Sequence, residues 1–398
     1  MIRTSGRIPR LATLGAAAAL GLSGCTPATS DDGRAGANGL PQQLVWSTYN
    51  VGTGTYNDLA AVANALTGEE GVQVRLMTAD TGIGRLAPLV NGTVDYSRAG
   101  DEYYYAYEGL YEFASPEWGP QDLRMVWAPL GNYGLLVRED SGIDSYEDLE
   151  GKRFPVLTAS TSINNKMEGF LNYGGLTWDD VEQVPISYGE QIAGLESGQI
   201  DALYQNVVGS NIEELASTHD VTWLSLDDPD PARYGTWDEL MPMVTVGEVT
   251  GGAGMAEGES ARVLEYTIPL TTTGERDADE VHHLVRAIVE NYEHYAGTTP
   301  DAEQFHLEKV LKEPLVVPFH EGTVRYFEER GVWTEELERK NQELIERGER
   351  MREAWPGVVE ASGEEDLAAN WEAWKATELD GPGGPAEGTK DEGTDDED

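Results

Sequence analysis

Apolar positions along this chain recur at two spacings, and their order predicts alternating strands and helices. Apolar runs of strand length occur at 44–48, 72–76, 133–138, 154–157, 184–187, 200–205 and 263–271. Between them, residues at helical spacing predict helices that contain Leu59, Leu86, Phe170, Leu195 and Leu284. Strand followed by helix, repeated, predicts an α/β fold with mostly parallel sheets flanked by helices.

The strand and helix units fall into two sets, which predicts two lobes. We expect the first lobe at 43–135 and 270–376 and the second at 136–269, with the chain crossing between them twice. The crossings are expected near 134–138 and 266–272, where they would act as hinges. The stretch 227–260 is rich in Asp, Pro and Gly and is predicted to be mostly loop.

The first residues have the pattern of a secretory signal. Arg3, Arg7 and Arg10 precede an apolar run at 11–22, and no acid interrupts them. The run is too short to span a bilayer. We therefore expect residues 1–24 to be a signal peptide and the protein to work outside the cytoplasm.

The only cysteine of the chain, Cys25, follows Leu22-Ser23-Gly24. This order resembles the bacterial lipobox, in which the thiol is lipidated and becomes the first residue of the mature protein. An ordinary signal peptide with a cysteine nearby by chance is the alternative. With lipidation, residues 25–42 would be a flexible tether to the cell membrane, and the acidic stretch 377–398 is expected to be a disordered tail.

Acidic residues outnumber basic ones by 72 to 27, and the formal net charge is −45. A chain with this charge repels nucleic acid, so DNA and RNA are excluded as partners. Our hypothesis is a salt-loving source, in which high ionic strength screens the self-repulsion; an extracellular protein that is merely acidic is the alternative. A melting temperature that does not rise between about 0.1 M and about 1 M salt would contradict the hypothesis.

Enzyme signatures are scarce. The six histidines form no HExxH motif, and the sequence has no GxSxG elbow and no P-loop lysine. We therefore expect a protein that is not an enzyme and needs neither a metal nor a cofactor. The alternative, a secreted enzyme, would require an acid/base pair with shifted pKa values in a crevice.

Glycine- and hydroxyl-rich loops follow three predicted strands and lead into helices. Glycine permits tight turns, and the free N–H groups of a helix start can receive a carboxylate or phosphate. In open α/β sheets such loops converge on the crevice that binds ligands. The candidate ligand-binding residues are Tyr49, Gly52, Thr53, Gly54, Thr55 and Tyr56 in the first loop, Thr81 and Gly82 in the second, and Ser160, Thr161 and Ser162 in the third. Helix capping is the alternative role for Thr53 and Thr55.

Two further polar residues stand at the ends of predicted strands. Arg98 could hold a ligand carboxylate through its forked guanidinium, or it could pair with a nearby acid. Asn206, just beyond Gln205, is a candidate polar contact or a turn cap.

Five segments, in order, resemble the TAXI family of TRAP transporter solute receptors, over roughly residues 44–335. They are GTGTY (52–56), LVNGTVDYSRAGDEYYYAYEG (89–109), SGIDSYEDLEGKR (141–153), ISYGEQIAGLESGQIDAL (186–203) and VPFHEGTVRYFEERGVW (317–333).

The resemblance implies a two-lobed fold like that of the type II periplasmic binding proteins. It also implies a receptor that delivers an organic acid or amino acid, such as a dicarboxylate or glutamate, to TRAP permease subunits in the membrane. Asp101 falls in the second segment and is added to the ligand-binding candidates. A receptor for an ABC transporter, or a sensor lipoprotein that presents its ligand to a signalling partner, are the alternatives.

Overall fold

A computed structural model describes residues 39–363 and 366–380. Its strands are β1 (Gln43–Thr48), β2 (Gln73–Thr78), β3 (Tyr96–Ser97), β4 (Leu123–Trp127), β5 (Leu130–Arg138), β6 (Arg153–Leu157), β7 (Glu182–Ile186), β8 (Ala202–Asn206), β9 (Val221–Trp223), β10 (Thr245–Thr250), β11 (Ser260–Thr267) and β12 (Leu270–Thr273). The predicted signal peptide, Cys25 and most of the tether lie outside the described residues.

Helices lie between most of these strands and follow the last one. They are α1 (Gly54–Ala65), α2 (Gly82–Val90), α3 (Glu102–Glu108), α4 (Thr161–Tyr173), α5 (Gln191–Ser197), α6 (Ser210–Thr218), α7 (Gly235–Leu240), α8 (Ala278–Glu290), α9 (Tyr292–Tyr295), α10 (Glu321–Glu329), α11 (Glu335–Ala361) and α12 (Leu367–Glu378). The predicted α/β class is therefore confirmed.

The first sheet has the strand order β2-β1-β3-β12-β4. Strand β1 runs parallel to both β2 and β3, whereas β12 runs antiparallel to β3 and β4. Trp46 of β1 and Trp127 of β4 are fully buried and anchor the core on this sheet. Because β12 comes after the strands of the second sheet, the first sheet combines segments that lie before and after them in the chain.

The second sheet has the order β10-β11-β5-β8, with β9 also paired to β5. All its pairings are antiparallel, so the expectation of a mostly parallel sheet is wrong here. The parallel pair β6-β7 forms a separate two-stranded sheet. A parallel neighbour needs a long crossover, but β10 and β11 are joined by residues 251–259 alone. Apolar spacing indicates a strand without indicating its direction.

The chain passes from the first sheet to the second through Ala128 and Pro129, and it returns through Ile268 and Pro269. The hydroxyl of Thr267 donates to the carbonyl of Pro129 at 2.9 Å and ties the two crossings together. The expected crossing at 134–138 is therefore misplaced, because that apolar run is the buried centre of β5.

Two expectations about loops and tail also need correction. The stretch 227–260 contains α7 and the edge strand β10, whose largely exposed residues give no apolar signal. The tail was expected from residue 377, but α12 continues to Glu378 and Leu379 is buried. The lobe boundaries themselves stay predictions.

Candidate functional site

Thr53 shapes the first glycine-rich loop by capping α1. Its hydroxyl accepts a hydrogen bond from the Tyr56 N–H at 3.2 Å and donates to the carbonyl of Asn50 at 2.9 Å. Gly52 has a φ of 96°, in the region that side chains avoid, so glycine makes this turn possible. The capping role weighed for Thr53 is therefore the one its hydroxyl has here.

The second loop uses the same device. Thr81 caps α2 by accepting from the Gly84 N–H at 3.1 Å. Gly82 packs so closely on Glu102 that a Cβ would overlap the glutamate side chain. The hydroxyl and the glycine of this loop thus fix where α2 begins and how near it comes to α3.

The third loop leads into α4 and also contacts α3. Ala159 has a φ of 54°, which is strained for a residue with a side chain and is a feature often found at ligand sites. Ser162, in the first turn of α4, donates its hydroxyl hydrogen to Glu102 Oε1 at 2.9 Å. Local strain and a long-range hydrogen bond therefore both fix the start of α4.

Two small adjoining cavities lie where the three loops meet, and together they are called the cleft. The tyrosine cavity measures ≈ 20 Å³ and is lined by Tyr49, Thr55, Gly100, Asp101, Tyr133, Ser162, Ile163, Lys166, Tyr188, Tyr204, Tyr266 and Ile268. The arginine cavity measures ≈ 60 Å³ and is lined by Tyr49, Asn50, Thr53, Ala79, Asp80, Arg85, Thr158, Ser160, Ser162, Ile163, Ser187, Tyr188 and Gly189.

Six of the fourteen predicted residues line the cleft: Tyr49, Thr53, Thr55, Asp101, Ser160 and Ser162. The others that were predicted, Gly52, Gly54, Tyr56, Thr81, Gly82, Arg98, Thr161 and Asn206, do not line either cavity. Some of them have structural roles in the loops, such as the cap that Thr81 forms and the close packing of Gly82 on Glu102. The ligand roles of all fourteen residues stay predictions.

A buried ion pair crosses the cleft between α4 and the start of α3. The Lys166 ammonium donates to Asp101 Oδ2, and each side chain belongs to a residue only 1% exposed. The ammonium also lies 4.3 Å from the centre of the Tyr266 ring. Asp101 Oδ1 has no hydrogen-bond partner. Burial raises the pKa of Asp101, and the Lys166 ammonium partly offsets that rise.

Arg85, a residue not among the predicted ones, supplies the cation of the arginine cavity. Its guanidinium stacks 3.8 Å from the centre of the Tyr49 ring and donates to the carbonyls of Ala79 and Ala99. It lies 3.7 Å from Glu102, while its Nε is buried without a partner. Its position directly after the second glycine-rich loop is the sequence signal that could have identified it.

Five tyrosines surround the tyrosine cavity, and most of them lie on strands that the sequence marks as core. Tyr133 stacks on Tyr266 with ring centres 4.5 Å apart, and the hydroxyls of Tyr204 and Tyr266 are 2.6 Å apart. Tyr188 donates to Gln205 Oε1 at 2.7 Å. Burial raises the pKa of all these phenols, Tyr49 included, so they remain neutral hydrogen-bonding groups.

Arg98 holds the backbone near the chain crossing. Its Nε donates to the carbonyl of Ile268 at 3.0 Å, and an NH group donates to the carbonyl of Thr55 at 3.3 Å. The guanidinium also faces the Phe305 ring at 5.4 Å. Within the described residues it forms no ion pair, so the pairing with an acid that was the alternative is not seen, and its role as a carboxylate clamp stays a prediction.

A second polar cluster lies beside Arg98, around two acids. Asn206 donates its side-chain N–H to Asp301, and Thr299 donates to Asp58 Oδ1 at 2.5 Å. Burial and the nearby Asp58 raise the pKa of Asp301 to about 7. Both acids border an open groove of ≈ 580 Å³ along α1. Asn206 thus contacts a loop that follows α9.

Neither a membrane span nor a metal cluster is found in the part of the chain that the structure describes. No helix within 39–363 or 366–380 is long and apolar enough to cross a bilayer. The same residues contain no group of three or more potential metal-binding side chains.

Comparison with known proteins gives a family match and several distant structural likenesses. The model of the NMT1-like family matches residues 51–331. The aliphatic sulphonate binding protein SsuA of Escherichia coli is 16% identical, with a TM-score of 0.39 over 65% of this chain and 70% of its own. The alkanesulfonate-binding protein SsuA of Xanthomonas axonopodis is 17% identical, with a TM-score of 0.39 over 74% of this chain and 96% of its own.

A third likeness is to an amino acid ABC transporter substrate-binding protein of Streptococcus pneumoniae bound to L-arginine. It is 14% identical, with a TM-score of 0.38 over 66% of this chain and 93% of its own. Likenesses this distant carry no information on the ligand of this chain.

Proposed function

The chain belongs to the NMT1-like family, and from this premise we propose that it is an extracytoplasmic solute-binding receptor. It captures a small organic anion or amino acid between two lobes and passes it to membrane permease subunits. The lobes are those expected from the sequence, with the first hinge moved to the crossing at 128–129 and the second at 268–269, within the expected 266–272.

The observation that carries this proposal is the polar contact across the cleft. Lys166 and Ser162 of α4 meet Asp101 and Glu102 at the start of α3. Burying so many charged and hydroxyl groups costs free energy unless they are fully paired, and Asp101 Oδ1 and Arg85 Nε are not. Unpaired buried groups of this kind fit a surface shaped to hold a polar ligand.

The size of the cleft indicates how capture would proceed. Cavities of ≈ 20 and ≈ 60 Å³ hold a few waters, whereas ligand pockets usually measure about 300–1,000 Å³. The lobes must therefore open before a solute enters. Rotation about the two proline-containing crossings would separate α3 from α4, and closure would expel water around the solute.

We propose a TRAP-type permease as the partner, on the five segments that resemble TAXI receptors, and a lipid on Cys25 as the membrane anchor. Solute uptake that depends on a sodium gradient would support this partner. Uptake driven by ATP would favour an ABC transporter instead. Binding without any effect on uptake would favour a sensor.

The proposal is tested by thermal unfolding of the protein in high salt with amino acids, dicarboxylates, keto acids and aromatic acids. A true ligand at about 1,000 times its dissociation constant stabilises the folded state by about 4.1 kcal/mol, which raises the melting temperature by several degrees. The expected result is one clear class of stabilising solutes. A panel without any shift would contradict the proposal.

Two serine variants locate the binding. Ser162→Ala removes a hydroxyl that lines both cavities and bridges to Glu102, so the ligand-induced shift should shrink. Ser197→Ala, on the exposed side of α5, is the matched control and should leave the shift unchanged. Equal shifts in both variants would mean that the solute binds elsewhere.

A further inference from the structure

The charges of the cleft are balanced, and this balance bears on the chemistry of the solute. Arg85 and Lys166 supply two positive charges, and Asp101 and Glu102 supply two negative ones. All four residues are at most 3% exposed. Bulk water cannot solvate an added charge in the closed cleft. A solute that carries a net charge would therefore bind there with a free-energy cost.

The neighbouring charges do not provide a positive excess either. Arg98 lies outside the cleft and has the acids Asp58 and Asp301 around it. Among the residues that line the two cavities, Lys166 and Arg85 are the only cations, whereas Asp80 adds an acid at the exposed rim of the arginine cavity. A second carboxylate on the solute would therefore find no further cation and would meet Asp80.

Each cavity is lined by one charged residue that has a buried polar atom without a partner, and the two atoms are of opposite kinds. Asp101 lines the tyrosine cavity, and its Oδ1 is an acceptor that fits an ammonium group. Arg85 lines the arginine cavity, and its Nε is a donor that fits a carboxylate. Glu102 Oε2 also lacks a hydrogen bond, but it faces the Arg85 guanidinium at 3.7 Å.

The two cavities share a wall, so one small solute can reach both. Tyr49, Ser162, Ile163 and Tyr188 line both cavities. Asp101 and Glu102 are consecutive residues, and Arg85 contacts the second of them, which keeps the two unpartnered atoms close in space.

The remaining walls are aromatic and uncharged. Tyr133, Tyr204 and Tyr266 form a stacked group next to Asp101. Ring faces attract an ammonium, as the position of Lys166 over Tyr266 illustrates, and they pack favourably on an apolar side chain.

We propose that the solute is a net-neutral amino acid, with one ammonium group, one carboxylate and an uncharged side chain, and that dicarboxylates are excluded. The ammonium binds Asp101 Oδ1, the carboxylate binds Arg85 Nε, and the side chain packs among the tyrosines. This inference rests on the proposed function, since it narrows the organic anions and amino acids considered there to one class.

Calorimetric titration of the protein at neutral pH with a matched set of solutes tests the inference. The set is L-phenylalanine, L-leucine, L-glutamate, succinate, 3-phenylpropionate and phenethylamine. At least one of the two neutral amino acids should bind ten times more tightly than glutamate or succinate. The last two compounds, of which one lacks the ammonium and the other the carboxylate, should each bind at least ten times more weakly than phenylalanine.

Two variants connect the result to the residues. Asp80→Asn, at an exposed position beside Asn50, should narrow the difference in affinity between leucine and glutamate. Asp101→Asn should weaken binding of the neutral amino acid relative to 3-phenylpropionate, because it removes the partner of the solute ammonium and leaves the positive charge of Lys166 in excess. Tighter binding of succinate or glutamate than of either neutral amino acid would overturn the inference while the receptor function stands. Binding of none of the six, together with no stabilising solute in the wider panel, would overturn both.

Discussion

Replacing Lys166 by methionine is expected to lower the free energy of unfolding by about 3–5 kcal/mol, because the change leaves Asp101 buried without its cation. Methionine has a similar length and fills the space beside Tyr266, so little of the loss should come from packing. Urea or thermal unfolding at neutral pH measures the effect. A loss below 1 kcal/mol would show that water or another group compensates Asp101.

Two comparisons separate the lost ion pair from other effects. Adding Asp101→Asn to Lys166→Met removes the unpaired charge and should restore much of the lost stability. Lys309→Met breaks an exposed pair with Glu303 and should have a far smaller effect. If the single and double variants of the buried pair were equally unstable, the loss would come from packing.

Loss of the same pair should change how the stability of the Lys166→Met variant depends on pH. Burial already raises the pKa of Asp101, and removing the ammonium raises it further. For an acid whose pKa is raised in the folded state, stability is lost as pH rises above the pKa of the unfolded state, 3.8 for this group. The free energy of unfolding of the variant should therefore be closest to that of the parent protein in mild acid, and the difference should grow as the pH approaches neutrality.

Local patterns predicted the elements well because the causes of those elements are local. The apolar spacing around Phe170 and Leu284 corresponds to α4 and α8, and the threonines before two glycine-rich helices are caps. The direction of the strands in the second sheet depends instead on which distant segments pair. Neither the spacing nor the composition of β5 contains that information.

The candidate site shows the same division. The glycine- and hydroxyl-rich loops were recognisable in the sequence, since turns and helix caps depend on residues that are neighbours in the chain. Lys166 lies in mid-helix, where a lysine usually faces water, and only the approach of α3 makes it a buried partner of Asp101. The sequence favoured Arg98 because it ends a predicted strand, yet its guanidinium donates to the carbonyls of Ile268 and Thr55.

The C-terminal helices α11 and α12 lie beyond the family match, and a single glutamate of α3 contacts both of them. Glu108, at the end of α3, accepts hydrogen bonds from Arg347 of α11 at 2.8 and 3.1 Å and contacts Lys375 of α12 at 3.3 Å. Its carbonyl also accepts the Trp371 indole N–H at 2.8 Å. The Glu108 side chain is therefore a charged partner that the two helices share.

Glu108→Ala is expected to lower the free energy of unfolding by about 1–3 kcal/mol, since it leaves Arg347 and Lys375 with only their more exposed partners, Asp380 and Glu372. The lower part of the range reflects Arg347, which is a quarter exposed and can turn towards water. Glu108→Gln keeps one acceptor and should lose less. Glu353→Ala, on the exposed side of α11, is the matched control. Thermal unfolding and limited proteolysis, read together, should show α11 and α12 cleaved earlier in Glu108→Ala than in the control. Equal cleavage in the two variants would mean that the buried tryptophans alone hold these helices in place.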